Sequence, residues 1–225
     1  MTVNSGDATV EIRGETLTLL PERAAFWHSA STLLVADPHW GKAATFRASG
    51  IPVPAGTTRE AIERLNRLVV QSSATRVVFL GDLLHAREGR SNEMFSALAG
   101  WRELNTSVDV LLVRGNHDKR AGDPPDHIGV RCVDAPFAAP PFLFAHHPAT
   151  SPDGYVIAGH VHPGIRIYGS GRERARLPCF VVGQERMILP AFGDFTGLAD
   201  IDPEEKNDAI YAVAEDRVVQ TRTAW

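Results

Sequence analysis

Five short apolar runs in this chain each break off at a side chain that can bind a metal, and this recurrence restricts the folds open to it. Residues 33–36 run into Asp37-Pro38-His39, and residues 77–80 run into Gly81-Asp82. Residues 110–113 lead through Arg114 to Gly115-Asn116-His117-Asp118. Residues 142–145 end at His146-His147, and residues 155–158 at Gly159-His160-Val161-His162. Short apolar runs without polar alternation predict strands covered on both faces. Ligand-type residues at one end of such strands predict a shared crevice, the place where open α/β sheets bind.

Helical signals separate the first three runs. Thr57-x-x-Glu60 fits a capping box, and Ile62, Leu65, Leu68 and Val69 follow at helical spacing. A second helix is predicted over 92–104, with Met94, Phe95, Leu98 and Trp101 inward. The intervening stretch 40–54, rich in Gly, Ala and Pro, reads as a loop. Residues 8–36 read as short strands, and past Asn116 prolines punctuate further short strands. Residues 210–213 and 218–221 read as a hairpin around Glu215-Asp216. The expected architecture is α/β first and β-rich later, in one domain spanning 1–225.

The chain of 225 residues has room for a sizeable core. Its net charge of −4 excludes a generally basic nucleic-acid coat while leaving room for a local basic groove. Cys132 and Cys179 are in no metal spacing and read as reduced thiols. Asp7, Glu11 and Glu15 stand where a signal peptide needs an apolar run, and no stretch approaches membrane-spanning length. The expectation is a cytoplasmic enzyme without a membrane.

The chemistry follows from the donor types. Asp37 and His39 are two apart, as are His160 and His162, so on extended backbone each pair faces one way. Asp82 has two carboxylate oxygens and can bridge two ions. Asn116 offers a neutral carbonyl oxygen. The residues divide into Asp37, His39, Asp82 and His162 for one ion, and Asp82, Asn116, His146 and His160 for the other. Four protein ligands per ion, with space for water and substrate, suit Mn²⁺ or Fe better than tetrahedral Zn²⁺. Each fragment alone is weak; together, in this order and each ending an apolar run, they are specific.

Asp37-x-His39, Gly81-Asp82, Gly115-Asn116-His117-Asp118, His146 and Gly159-His160-x-His162 resemble the five-block signature of the calcineurin-like metallophosphoesterases. The resemblance implies a four-layer αββα sandwich around two metals. A narrower resemblance rests on Ala36-Asp37-Pro38-His39-Trp40-Gly41-Lys42-Ala43-Ala44-Thr45-Phe46-Arg47, on Gly50-Ile51-Pro52-Val53-Pro54, and on Gly81-Asp82-Leu83-Leu84-His85. These resemble the bacterial metallophosphoesterases associated with DNA ligase and repair helicases. They imply an Mn²⁺-dependent phosphodiesterase with DNA endonuclease activity on single-stranded or flapped DNA. One departure is Pro38, where that pattern has Leu; it fixes its own φ and restricts Asp37.

Two-metal chemistry implies a water activated between the ions and a clamp on the phosphate oxygens. His117 is then the expected proton donor to the leaving oxygen, with Asp118 orienting it, and His85 is expected to touch substrate. Lys42 and Arg47 are candidate phosphate contacts, as are Lys119, Arg120, Arg166, Arg172, Arg174 and Arg176. Of the two histidines at 146 and 147, His146 directly ends the apolar run and matches the family block. The rivals are a small-molecule phosphatase or cyclic-nucleotide phosphodiesterase on the same core and, more remotely, a non-catalytic scaffold.

Overall fold

The computed structural model describes residues 4–54, 56–168, 174–201 and 208–221. Arg172 lies outside the described residues.

The first sheet has seven strands in chain order: β1 (Ala8–Ile12), β2 (Glu15–Leu20), β3 (Ala24–Trp27), β4 (Thr32–Val35), β5 (Arg76–Phe79), β6 (Asp109–Val113) and β7 (Arg131–Val133). The first four pair antiparallel, and β4 to β7 are parallel. The crossovers are helical: α1 (Lys42–Ala48) and α2 (Thr57–Ser72) precede β5, α3 (Asn92–Leu104) precedes β6, and α4 (Asn116–Ala121) follows it.

Register explains the unbroken apolar runs. Leu33 pairs with Val77 and Val77 with Val110, and all three turn toward the helices, packing with Ile62, Leu65, Leu68, Leu98 and Trp101. Their neighbours Leu34, Val78 and Leu111 turn to the other face and pack against Phe142, Phe144, Ile157, Phe180 and Met187 of the second sheet. Each strand is therefore buried on both sides, at about 1.5–3 kcal/mol per large apolar side chain.

The second sheet has nine strands: β8 (Phe137–Ala139), β9 (Phe142–Phe144), β10 (Tyr155–Ala158), β11 (Pro163–Tyr168), β12 (Arg174–Val182), β13 (Arg186–Ile188), β14 (Ala199–Asp200), β15 (Ala209–Ala214) and β16 (Arg217–Gln220). Strands β9, β10 and β13 are parallel, so His146, His160 and His162 follow C-terminal strand ends, as Asp37, Asp82 and Asn116 do across the interface. The hairpin β15–β16 pairs Val213 with Val218, as its sequence predicts. Among the described residues every α-helix lies within 42–121, and none is long and apolar enough to cross a membrane. Both cysteines are free.

Two local expectations are corrected. The stretch read as a loop contains α1, which starts at Gly41 (φ 84) and is favoured by Ala43 and Ala44. Helix α2 starts at Thr57, but its cap is Gly56 in the left-handed region and no side chain caps it. The carboxylate half of such a box is found instead in α4, where the Asp118 carboxylate accepts from the Gly115 amide at 2.9 Å.

Candidate metal centre

The seven ligand candidates converge at the edge where the parallel strands of both sheets end. The sheets are tied together there. Ala36 bridges Ala191, and the Phe192 amide donates to the Ala36 carbonyl at 2.8 Å; within the second sheet, the Gly159 amide donates to the His146 carbonyl at 3.1 Å.

The backbone at these ligands is not extended strand. Asp37 (φ 50), His39 (φ 48), Asp82 (φ 51), His160 (φ 70) and His162 (φ 52) all sit in the left-handed region. Each costs about 1–3 kcal/mol, and such strain gathers at functional sites. This corrects the same-face reading of the His160 and His162 pair, whereas Asp37 and His39 stay together in one cluster with His162. His160 Nδ1 lies 3.1 Å from His146 Nε2, whereas His162 Nε2 lies 3.2 Å from His39 Nε2, so residues two apart serve different clusters. Asp37 keeps its left-handed turn ahead of Pro38 because both its peptide groups are engaged: its amide donates to Gly81 and its carbonyl accepts from Gly193.

Two glycines are fixed by close approach. A Cβ at Gly115 would overlap the Asp82 carboxylate, and one at Gly159 would lie 2.5 Å from that of Asp37. Backbone amides aim both carboxylates: His117 N–H donates to Asp82 Oδ1 at 2.9 Å, and His160 N–H to Asp37 Oδ2 at 2.7 Å.

The donor atoms form two clusters with a shared corner. His146 Nε2 is 3.0 Å from Asn116 Oδ1, 3.1 Å from His160 Nδ1 and 3.4 Å from Asp82 Oδ2. On the other side Asp82 Oδ2 is 3.8 Å from His39 Nε2, and His162 Nε2 is 3.8 Å from Asp37 Oδ1. Ligand atoms about 2.1 Å from one ion lie roughly 3 Å apart when at right angles, so the spacing fits. Asp37 Oδ1 is buried with no hydrogen-bond partner, which is costly for a carboxylate oxygen unless a cation completes it. His146 Nδ1 faces the Leu80 carbonyl at 3.1 Å, and donation there leaves Nε2 as the ligating atom. Burial holds the His39 imidazole down at about 2, keeping it in the neutral, ligating form. Burial alone would push the Asp82 carboxyl up, but the His146 ring, the His117 amide and His39 hold it down at about 2. Of the adjacent pair, His146 is buried in the cluster, while His147 is exposed with its ring 4.0 Å from that of His160.

His117 and His85 stand at the rim, stacked with ring centroids 4.8 Å apart. His117 Nδ1 lies 2.6 Å from the His85 carbonyl, to which it donates; its Nε2 is 4.0 Å from Asp82 Oδ2. The expectation that Asp118 orients His117 is corrected. Both Asp118 oxygens are occupied by backbone amides, Leu84 at 3.0 Å and Gly115 at 2.9 Å, so this buried carboxylate ties the loop after β5 to the loop after β6. Asp118→Ala should therefore cost about 1–3 kcal/mol for each amide left unpaired. Denaturant unfolding should show that loss, while the ratio of turnover on aryl and alkyl esters stays unchanged; a changed ratio with unchanged stability would restore the orienting role.

His85 Nδ1 lies 3.4 Å from His39 Nδ1, so His85 supports a ligand rather than facing only outward. Burial holds the His85 imidazole down at about 4, so it is neutral and can accept from His39. Lys42 is half-buried with its ammonium 5.7 Å from the Phe46 ring, close enough for its charge to act on His39 and His85. Arg47 is not brought to the ligands: it donates to the carbonyls of Val53 and Pro54, bracing the next loop. Arg166 and Arg176 both pair with Asp200, and Arg174, Lys119 and Arg120 are exposed.

The sequence reading passed over the segment after β13. Gly193 and Asp194 follow an apolar run much as Gly81 and Asp82 do. Gly193 N–H donates to the Asp37 carbonyl at 3.2 Å, and Asp194 binds Arg64 at 3.0 Å as well as Arg23.

No family model matches the chain, and no curated protein matches it. Among solved structures it is similar to the Pseudomonas putida nuclease MPE, at 38% identity and a TM-score of 0.85, over 96% of this chain and 100% of that one. It also aligns with Yfce, a phosphoesterase from E. coli, at 16% identity and a TM-score of 0.39, over 84% of this chain and 97% of that one. Identity of 38% along nearly the whole length, with the five ligand blocks folded into one cluster, means that the chain belongs to the calcineurin-like metallophosphoesterases, metal-dependent hydrolases of phosphate esters.

Proposed function

We propose that the chain is a two-metal phosphodiesterase that cleaves single-stranded or flapped DNA during repair in the cytoplasm, in functional association with a DNA ligase and a repair helicase. The observation carrying the reading is the double cluster cornered on Asp82 Oδ2, with the His117 ring at its edge. The 38% identity to a nuclease supports a nucleic-acid substrate.

Asp37, His39, Asp82 and His162 would hold one ion, and Asp82, Asn116, His146 and His160 the other. Two divalent ions supply an activated water and a clamp on the phosphate oxygens. The chain does the rest. The Nδ1–H of His117 donates to the His85 carbonyl and fixes the ring, and from the doubly protonated ring the Nε2 proton is the one handed to the leaving oxygen, leaving the neutral Nδ1–H imidazole. The Lys42 ammonium offers a charge-assisted bond to a phosphate oxygen. The donor set of imidazoles and oxygens without thiolate favours Mn²⁺.

A small-molecule phosphatase is the second reading, favoured by the pairing of Arg166 and Arg176 with Asp200, which leaves them less available to a DNA strand. Hydrolysis of a small diester, a small monoester, and single- and double-stranded DNA, each with Mn²⁺, Zn²⁺ or Mg²⁺, tests the proposal. Single-stranded DNA cut fastest with Mn²⁺ is the expected result. Preference for the monoester would establish the second reading, and clear superiority of Zn²⁺ would overturn the metal assignment.

A further inference from the structure

The segment that follows β13 does more than close the base of the metal cluster. It is held at four points: Phe192 on the Ala36 carbonyl, Gly193 on the Asp37 carbonyl, Asp194 between Arg64 and Arg23, and Thr196 Oγ on the Gly193 carbonyl at 2.9 Å. Phe192 is fully buried, with the Arg64 guanidinium 4.2 Å above its ring. Phe195, three residues on, is 39% exposed, the one exposed Phe, Tyr or Trp ring among the described residues. It borders the same hollow as Pro38, His39, Lys42 and Thr58. The loop thus presents an aromatic ring on a hollow that His39 and the half-buried Lys42 also line.

We propose that Phe195 is a stacking platform for a nucleobase next to the scissile phosphate, with Lys42 taking the intervening phosphate oxygen. The inference rests on the nuclease reading and deepens it. Aromatic side chains beside a phosphate-tracking cation are how proteins hold single strands, because every base has a face to stack. A paired duplex keeps its bases stacked on one another and offers none to the ring. The hollow below Phe195 is about 20 Å³, room for roughly one water, so no base enters it. Stacking therefore occurs on the open face of the ring, with no enclosing wall to read the base edge. The platform selects single strands over duplex and tolerates any base.

Because Phe195 is exposed and touches no ligand, its replacement leaves the fold and the metal cluster intact. In Phe195→Ala the KM for a single-stranded oligonucleotide should rise roughly tenfold, within the range typical of losing one stacked base. Hydrolysis of bis-(4-nitrophenyl) phosphate should be unchanged. Phe195→Trp should restore the oligonucleotide KM, and Phe195→Leu should not. Oligonucleotides carrying one abasic position, moved stepwise across the cleavage site, give the decisive reading. At one position the wild type should lose the same factor, and Phe195→Ala should be indifferent. An abasic penalty equal in both proteins, or an unchanged KM in Phe195→Ala, overturns the platform while leaving the nuclease reading standing. A wild type that hydrolyses the small diester but no DNA overturns the nuclease reading itself, and the platform with it.

Discussion

Asp82→Ala should lose both metal ions at once and with them turnover, by at least roughly 10³-fold, since several kcal/mol of charge stabilisation depart together. The expectation comes from one atom. Asp82 Oδ2 is 3.4 Å from His146 Nε2 on one side and 3.8 Å from His39 Nε2 on the other, so it belongs to both donor sets. In the donor sets proposed above the other six each serve one ion. His162→Ala should therefore release one ion per chain, and Asp82→Ala two. Metal content per chain measures this directly, with the distant, exposed Asp216→Ala as the unaffected reference. Folding must be separated from loading, because Asp82 Oδ1 also accepts the His117 amide. Asp82→Asn serves that purpose: it can keep an acceptor for the amide while removing the charge. It should melt where chelator-treated wild type melts, since ions that bind only the folded state raise the midpoint by mass action. Asp82→Ala that retains its metals would mean the clusters do not share a corner.

The strands, and the side chains that converge at their ends, were readable because both obey local rules. Runs such as Val77-Val78-Phe79-Leu80 carry no polar alternation, since each strand is covered by helices on one face and by a second sheet on the other. Asp82, Asn116 and His146 stand where those runs stop. What escaped depends on partners far along the chain. The left-handed turns at Asp37 and His160 are imposed across the sheet interface, where the His160 amide reaches Asp37, 123 residues away. Nothing near Asp118 indicates that it binds the Leu84 amide, and a residue next to a histidine is more readily read as its orienting partner. Asp194 acts through Arg23 and Arg64, in elements with no sequence relation to it. Helix α1 was hidden by its composition, because Gly41 and Gly50 bracket a helix of seven residues, too short for a period to emerge.

His117→Ala should separate proton donation from metal holding. The backbone N–H of residue 117, which aims Asp82, survives the substitution, so both ions should stay bound. What goes is the imidazole, whose Nδ1 is committed to the His85 carbonyl at 2.6 Å and whose Nε2 is the nitrogen left for a substrate. A proton matters most to a basic leaving group. A nitrophenolate departs readily without one, whereas the alkoxide of a deoxyribose does not. The loss should therefore be slight on an aryl diester and roughly 10²–10⁴-fold on DNA or an alkyl ester, the usual worth of a general acid. Turnover of His117→Ala on both ester types, with metal content determined on the same samples, gives the comparison. Equal losses at full loading would make His117 a phosphate-positioning group. Lost metal would make it part of the cluster's frame, through the stacked His85 ring and the contact of that ring with His39.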